Sequence, residues 1–343
     1  MLSRRQLLRA SVAYAFASSV LLAQDAKKPQ AGIVEAGDRL LDAVGKSGQE
    51  KLLYQYEDAE RFNWDFVPLN NTTTRQSTRK GIMLDDLNAD GKGAALALLQ
   101  ACTSKDGYQW CLDIMAREAI LAELEPRNAW FRKPGWYFIT FYGKPARTGR
   151  WGWRLDGHHL SVNCTIVDGQ LASATPCFMG LNPVKIMHGP HQGERRTITA
   201  SEDEARTLVK MLTPEQARIA VVEKHLPEVK ARTKQAPALP TGLAASKMSE
   251  PQQAQLLKLV QHYFGRMPAA QAQQEEAQLM KSGLERLTFH YTGETDPGKR
   301  HTYVIQGPSL FIHYMNEQTD PHRNPANHIH SVYRSKTSDF GHA

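Results

Sequence analysis

Two Asp-Gly pairs lie among runs of aromatic and β-branched residues in the middle of the chain, and they constrain its fold most. Asp156-Gly157 and Asp168-Gly169 are residue pairs that favour the tight type I′ turn of a β-hairpin. The runs around them have the composition of β-strands. The sequence therefore predicts a four-strand antiparallel meander with strands at 136–142, 151–155, 158–167 and 170–178.

The rest of the chain alternates between blocks of helical and strand pattern. Apolar residues recur at helical spacing in five segments, at 85–104, 107–124, 200–226, 250–264 and 269–283. Strand pattern returns in four short runs, at 287–292, 301–306, 310–315 and 327–334. This order predicts an α+β fold, with an antiparallel sheet built from two strand meanders and flanked by helices. No internal repeat is visible at a period of 20–50 residues, although the two meanders are able to pair into one sheet.

The first 26 residues have the pattern of an export signal that is removed. Arg4-Arg5 is a twin-arginine pair, and a weakly apolar run rich in Ala and Ser follows at 10–23, before polar Gln24-Asp25. This run is too short for a membrane span, which needs roughly 20 strongly apolar residues. We therefore expect export by the Tat machinery to the periplasm or beyond, with no stable membrane span after cleavage. Because that route carries folded proteins, a cofactor can be bound before export.

Residues 27–343 are expected to form a single α+β domain, with a helical insert and a Pro-rich loop at about 200–285. The chain carries a formal net charge of +7, but no basic run is interleaved with aromatic residues, so we expect no nucleic-acid partner. There is no Gly-rich phosphate loop, no GxSxG elbow and no HExxH motif. These absences leave the common nucleotide-binding, esterase and zincin classes without support.

The four cysteines lack the CxxC spacing that is typical of a cysteine zinc cluster. The pairings nearest in sequence are Cys102 with Cys111 and Cys164 with Cys177. An oxidising compartment permits disulfides, but the sequence leaves their connectivity open.

Histidines at the two ends of the β-rich regions are the candidate metal ligands. His328 and His330 form a His-x-His pair on a predicted strand, where alternate side chains share a face at a spacing of about 7 Å. His158 and His159 form a second pair beside the first predicted turn. In a regular strand these two neighbours face opposite ways, so one is a ligand candidate and the other is structural. Periodicity leaves that choice open.

His313 lies in an apolar strand, where a buried imidazole needs hydrogen bonds or a metal ion. Together His158, His159, His313, His328 and His330 predict a site for a divalent transition metal. Zinc, copper, iron and manganese all remain alternatives. The competing interpretation is a set of surface or core histidines that make ordinary hydrogen bonds.

Arg154 and Arg334 are candidates for substrate binding. Each lies in an aromatic strand, and a planar guanidinium suits bidentate capture of a carboxylate or phosphate. An internal salt bridge, for instance to Asp156 or Asp339, is an equally good interpretation of either residue.

Three sequence blocks together resemble the DUF3500 family, whose bacterial and fungal members have no assigned function. They are Trp151-Gly152-Trp153-Arg154-x-x-Gly157-His158-His159-Leu160-Ser161, Pro176-x-Phe178-x-Gly180-x-Asn182-Pro183, and Asn327-His328-Ile329-His330-Ser331-Val332-Tyr333-Arg334 with Asp339-Phe340-Gly341. The likeness runs from about Arg79 to the C-terminus. It implies that both histidine pairs and both arginines stand at signature positions, and it supplies no reaction. Secreted members are common, in agreement with the export signal.

These observations lead us to expect an exported metal-dependent enzyme that acts on a small anionic substrate by hydrolytic or oxidative chemistry. A periplasmic protein that binds a metal or a small anion without catalysis is the alternative. In a third interpretation the histidines and arginines only form a hydrogen-bonded network inside the protein.

Overall fold

A computed structural model describes residues 32–69, 71, 73–187, 192–193, 198–223, 226–237, 239 and 242–341 of the chain. The predicted signal at 1–26 lies outside these residues. Within the described part, no helix has the length and apolar character needed to cross a bilayer.

The described residues form seven α-helices and one sheet of twelve strands. The helices are α1 (Ile33–Leu52), α2 (Ala89–Ala101), α3 (Lys105–Leu124), α4 (Ala200–Lys210), α5 (Pro214–Ala220), α6 (Glu250–Phe264) and α7 (Ala269–Ser282). The strands are β1 (Leu53–Tyr54), β2 (Ile82–Met83), β3 (Tyr137–Tyr142), β4 (Arg150–Gly157), β5 (Leu160–Val167), β6 (Gln170–Ser173), β7 (Cys177–Leu181), β8 (Leu243–Ala244), β9 (Thr288–Gly293), β10 (His301–Gln306), β11 (Leu310–Gln318) and β12 (His328–Ser335).

Helix ends follow the capping residues in the sequence. The side chain of Asn88 accepts a hydrogen bond from Gly91 N at the start of α2, and Ser104 does the same for Gly107 N at α3. The helix predicted over 200–226 is in fact two, α4 and α5, because Thr213 caps a new helix that has a proline at its first position.

The strands lie in the order β1-β3-β4-β5-β7-β12-β11-β10-β9-β8, with β2 beside β3 and β6 beside β5. The expected combination of helices with a large, mostly antiparallel sheet is confirmed. The sheet does not consist of two separate antiparallel meanders, because β1 pairs with β3 in parallel and makes the sheet mixed. The predicted strand 170–178 is also broken. Proline at 176 lacks the N–H that a ladder needs, and the chain leaves β6 to form β7, which joins β5 to β12.

The first predicted hairpin turn is displaced by two residues. Strand β4 continues through Asp156 to Gly157, which pairs with Leu160, so that His158-His159 is the turn itself. The prediction that His158 opens a strand was therefore wrong. The turn has moved because the Asp156 carboxylate is fully buried in the sheet, where it pairs with arginine side chains.

The second hairpin turn lies where the sequence predicts it. Val167 pairs with Gln170 across Asp168-Gly169, and both turn residues have positive φ, +49° and +72°. A type I′ turn requires positive φ at both central positions, which Asp and Gly tolerate.

The sheet has one apolar face and one mixed face, because successive side chains point to opposite sides. The apolar face packs against the helices in a large core, to which Tyr137, Trp153 and Leu160 contribute. The other face is covered by segments 60–68 and 226–237 with residue 239, and it carries a smaller cluster around Trp64, Phe178 and Phe311. Buried charged side chains also lie on this mixed face.

The two halves of the sheet contain matching elements. In the first half, β2 pairs with β3 and leads through α2 and α3 into β3, β4, β5 and β7. In the second half, β8 pairs with β9 and leads through α6 and α7 into β9, β10, β11 and β12. The central strands β7 and β12 are antiparallel, with Cys177 opposite Tyr333. The halves are thus related by an approximate two-fold axis.

This internal duplication escapes the sequence because its repeat distance is long. Gly81 and Gly242, equivalent residues before β2 and β8, are 242 − 81 = 161 positions apart. Under the same relation, the His158-His159 turn corresponds to Pro308-Ser309 between β10 and β11. One fold unit therefore uses histidines where the other does without them.

All four cysteines are buried, and none forms a disulfide. Cys164 interacts with Cys102 through a side-chain hydrogen bond, and burial holds the pKa of the Cys164 thiol well above its ordinary value. Neither of the pairings nearest in sequence is present as a disulfide.

Candidate metal centre

Three imidazoles converge at the edge of the mixed face. His159, His328 and His330 each contribute a potential ligand atom, and these atoms lie within 4.8 Å of one another. His159 comes from the β4–β5 turn, and the other two come from the start of β12. The turn and β12 meet because β7 pairs with both β5 and β12.

Gly180 on β7 provides the space in which His159 approaches β12. It pairs with His330, and its N–H donates to the backbone oxygen of His159 at 2.7 Å. A Cβ at this position would lie 3.1–3.2 Å from the His159 side chain and 2.7 Å from the Ile329 oxygen. A side chain on residue 180 would therefore push the imidazole away from β12.

The closest nitrogens of the cluster are the Nε2 atoms of His159 and His328, which are 2.8 Å apart. Burial is the main cause that holds the pKa of both imidazoles well below the ordinary value, and neighbouring histidines add to it. Both rings are therefore neutral at pH 7, the form that binds a metal. In a tetrahedral zinc site, Zn–N bonds of about 2.0–2.1 Å place the ligand nitrogens about 3.3 Å apart. The two rings would therefore need to move apart by only a short distance to admit an ion.

His330 is oriented by a carboxylate on its far side. Its Nδ1 contacts Glu228 Oε1, whereas its Nε2 is buried without a hydrogen-bond partner. A ligating histidine commonly donates its second N–H to a carboxylate, which fixes the tautomer and the ring orientation. Glu228 thus leaves the Nε2 lone pair available to the cluster.

His158 lies behind His159 rather than in the cluster. The two rings stack with centroids 3.7 Å apart. Its Nδ1 contacts the carboxylate of Glu118 and lies 2.8 Å from Arg132 Nη1. Burial raises the pKa of Glu118 to about 8 and lowers the pKa of His158 well below its usual range. Of these two neighbours, between which periodicity does not choose, the turn places His159 beside β12 and leaves His158 outside the cluster.

The three imidazoles lie on the wall of an open groove with a cavity volume of about 480 Å³. Its size falls in the range of small-molecule sites. Besides histidines, its lining includes the apolar residues Phe66, Val67, Pro68 and Pro321 and the polar residues Glu125, Arg132, Asn182, Glu228, Gln318, Thr319 and Asp320.

A family model described as "Protein of unknown function (DUF3500)" matches residues 26–342. The chain belongs to the DUF3500 family. The resemblance read from the sequence blocks is thereby confirmed over nearly the whole chain. No curated protein and no solved structure matches it.

The two signature arginines of this DUF3500 protein are held by internal ion pairs. Arg154 is 1% exposed and pairs with Glu60 at 2.9 Å and Asp156 at 3.2 Å. Arg334 is fully buried, and its Nε donates to Asp339 Oδ2 at 2.6 Å. Neither lines the groove. The internal salt bridge, which the sequence offered as the alternative, accounts for both.

These ion pairs hold the covering segments of the DUF3500 fold on the sheet. Arg154 also donates to the backbone oxygen of Glu60 at 2.8 Å, and Arg334 donates to the backbone oxygens of Lys234 and Gln235. Part of the groove lining, Phe66, Val67, Pro68 and Glu228, belongs to these same segments, so the arginines help to hold that part of the groove in place.

His313, the fifth histidine expected in the site, lies outside the cluster of three. It lies on β11 opposite Val332 of β12, and therefore on the same face of the sheet as His330. It is buried, and burial lowers its pKa to about 4. Glu228 and His330 are close enough to influence its charge.

Several residues that line the groove or contact its histidines carry no signal in the sequence. Glu228 follows a proline in a segment without periodicity, and Glu118 is a buried glutamate within α3. Arg132, which Glu125 Oε2 binds at 2.7 and 2.9 Å, lies in a connecting loop before β3. Their role depends on contacts between distant segments, which a single sequence does not reveal.

Proposed function

We propose that this DUF3500 protein is a metal-dependent enzyme that binds one divalent transition-metal ion through His159, His328 and His330 and acts on a small molecule in the adjoining groove. The observation that carries the proposal is the convergence of three imidazoles beside a 480 Å³ groove. A site with three protein ligands that keeps a fourth position open is typical of catalytic zinc, whereas structural zinc sites are closed by four protein ligands.

The donor set favours zinc or copper over manganese. All three donors are imidazole nitrogens, which suit zinc, copper, iron and nickel, whereas manganese prefers oxygen ligands. Zinc is the ion we expect, because three imidazoles with a fourth position open are typical of catalytic zinc. When bound, such an ion polarises a water molecule or a substrate oxygen for hydrolysis.

The groove residues suit the positioning of a polar substrate. The Asn182 Oδ1 atom is buried, has no hydrogen-bond partner and belongs to a residue of the groove lining. A buried carbonyl oxygen of this kind gains a hydrogen bond when a substrate N–H or O–H reaches it. Glu228 holds His330 in place, while Phe66 and Pro68 provide an apolar wall.

We propose no particular charge for the substrate. The anionic class expected from the sequence depended on Arg154 and Arg334, which face internal carboxylates. The one arginine of the lining, Arg132, is engaged by Glu125.

A metal carrier without catalysis is the second candidate, and Glu228 favours it. Its side chain is 35% exposed and lies beside His330. A rotation that brought its carboxylate to the ion would close the fourth position, as in a structural or storage site.

Export by the twin-arginine route remains part of the proposal. It rests on Arg4-Arg5 and the following Ala-rich run, which lie outside the described residues. An R4K/R5K double variant tests it, since we expect the variant to accumulate in the cytoplasm while the unaltered chain is recovered from the periplasm at reduced length. Equal localisation of the two would contradict this route.

Metal analysis of the purified protein tests the proposal as a whole. After growth with added zinc, copper, iron and manganese, we expect close to one ion per chain, and less than a tenth of that in H328A/H330A. H322A removes an exposed histidine outside the cluster and serves as the matched control. A native protein without stoichiometric metal would contradict the proposal.

Cobalt substitution separates enzyme from carrier. In an open site, added azide or imidazole binds the Co²⁺ ion directly and changes its visible absorption bands. We expect such a change for the wild-type protein. Bands that do not respond to either probe would indicate a closed site and favour the carrier.

A further inference from the structure

Arg266 is a buried arginine without a counter-charge. It follows α6, is 4% exposed, and donates through Nη2 to the hydroxyl of Ser331 on β12. Its Nε and Nη1 atoms are buried without hydrogen-bond partners. Among the residues that the structure describes, no carboxylate oxygen lies within 4.0 Å of this guanidinium, in contrast to Arg154 and Arg206.

The surrounding groups do not neutralise Arg266. Its guanidinium carbon lies 4.4 Å from the centroid of the Tyr263 ring, and a cation–π contact stabilises a charge without removing it. Burial raises the pKa of the Cys177 thiol beside it, which therefore stays uncharged. An unpaired buried charge is strongly unfavourable, and a negative group beside Arg266 would remove this penalty.

A small cavity of about 10 Å³ borders Arg266. It is lined by Trp110, Ile198, Ala200, Ser201, His262 and Arg266. A volume of this size holds about one water-sized sphere.

Two other features favour an anion there. Ala200 and Ser201 form the first turn of α4, an 11-residue helix whose N-cap Thr199 makes no side-chain cap hydrogen bond. The N-terminus of a helix has free N–H groups and a partial positive charge. The His262 Nε2 atom is buried without a hydrogen-bond partner. The carboxylate of Glu204, with Oε1 at 3.8 Å from this atom, is a negative neighbour that opposes an anion.

We propose that this cavity binds one monoatomic anion, chloride, as the counter-ion of Arg266. The site is separate from the histidine cluster and does not depend on the proposed function. Because its volume is close to that of one water molecule, a monoatomic ion such as chloride or bromide enters only if the lining moves outwards slightly, whereas a tetrahedral oxyanion such as sulfate needs far more room. Because Ser331 follows His330 directly, the anion fixes the guanidinium that supports β12 from the apolar face.

Thermal unfolding of the full chain tests the proposal. We compare sodium chloride with sodium gluconate at equal ionic strength and expect chloride to raise Tm by about 2 to 4 °C. R266M is expected to lose this difference. R218Q, which alters an exposed arginine of α5 paired only with Glu215, should keep it, since a general salt effect would act on both variants.

Bromide provides the direct measurement and does not depend on any variant folding. A crystal grown in sodium bromide should give an anomalous peak in the cavity, within 3.5 Å of a nitrogen of Arg266. A cavity that holds only water, or a wild-type Tm that is equal in chloride and gluconate, would overturn the proposal. Sulfate should give no peak at this position.

Discussion

The Nε2 atoms of His159 and His328 face each other at 2.8 Å although the two residues are 169 positions apart in the chain. One belongs to a hairpin turn and the other to the first position of β12, and they meet only through the strand between them. In the duplicated half, the equivalent turn has Pro308-Ser309. The fold therefore accommodates a turn without histidine at the equivalent position, but with another backbone conformation, because His159 has a positive φ and Ser309 does not.

Replacement of His159 by asparagine should remove metal binding with little effect on folding. His159 has φ of +60°, a conformation that asparagine tolerates better than most residues. We expect H159N to bind Zn²⁺ at least 100-fold more weakly, measured by competition with a chromogenic chelator. H158N alters the neighbour outside the cluster and should retain most of the affinity. Equal losses in both variants would indicate that the turn geometry, not His159 ligation, is what matters.

Replacement of Glu228 by glutamine should weaken metal binding without abolishing it. Glu228 orients His330 through Nδ1, and loss of such a partner typically reduces metal affinity 10- to 100-fold. We expect E228Q to fall in this range in the same chelator competition. If Glu228 were itself a ligand in a closed site, the loss would approach that of H159N, and the carrier would be favoured.

Replacement of Arg154 by methionine should destabilise the fold. The change leaves Asp156 buried with one fewer partner, and breaking a buried ion pair in this way costs about 3 to 5 kcal/mol. Urea unfolding should show this loss in R154M, with Zn²⁺ affinity of the folded fraction within a few-fold of wild type. A stable R154M protein that had lost only substrate turnover would instead support direct contact between Arg154 and substrate.

His313 should make the metal-free protein less stable in mild acid. Its folded pKa is about 4 against an ordinary value of 6.5, so between these values the unfolded chain binds a proton that the folded chain does not. The contribution of His313 to the free energy of unfolding is fully present above pH 6.5. It decreases by about 3 kcal/mol as the pH drops towards 4.

The contribution of His313 is isolated by comparison with H313L in urea unfolding with a chelator present. The wild-type free energy of unfolding should fall more steeply than that of H313L between pH 6.5 and pH 4. Parallel curves for the two proteins would show that His313 does not titrate in this way.

The sequence predicts those parts of the site that depend on local pattern. The His-x-His pair does lie on a strand, and the Asp168-Gly169 turn forms as expected. The first turn was misplaced because Asp156 is required for ion pairs with Arg79 and Arg154 inside the sheet. These long-range contacts outweigh the local preference of the Asp-Gly pair for a turn.

The remaining parts of the site depend on which strands become neighbours. The meeting of His159 with β12 requires β7 to lie between β5 and β12, and no residue pattern in β7 specifies that order. Glu228 reaches His330 from a covering segment 102 positions away. Such contacts are properties of the assembled sheet and its covering segments.

Zinc-edge anomalous diffraction from crystals of the protein grown with Zn²⁺ tests the central claim most directly. We expect one strong peak bonded to nitrogen atoms of His159, His328 and His330, at about 2.0–2.1 Å from each. A fourth position should face the groove and hold a water molecule or another small ligand. The absence of a peak at these three imidazoles in zinc-replete crystals would contradict the account.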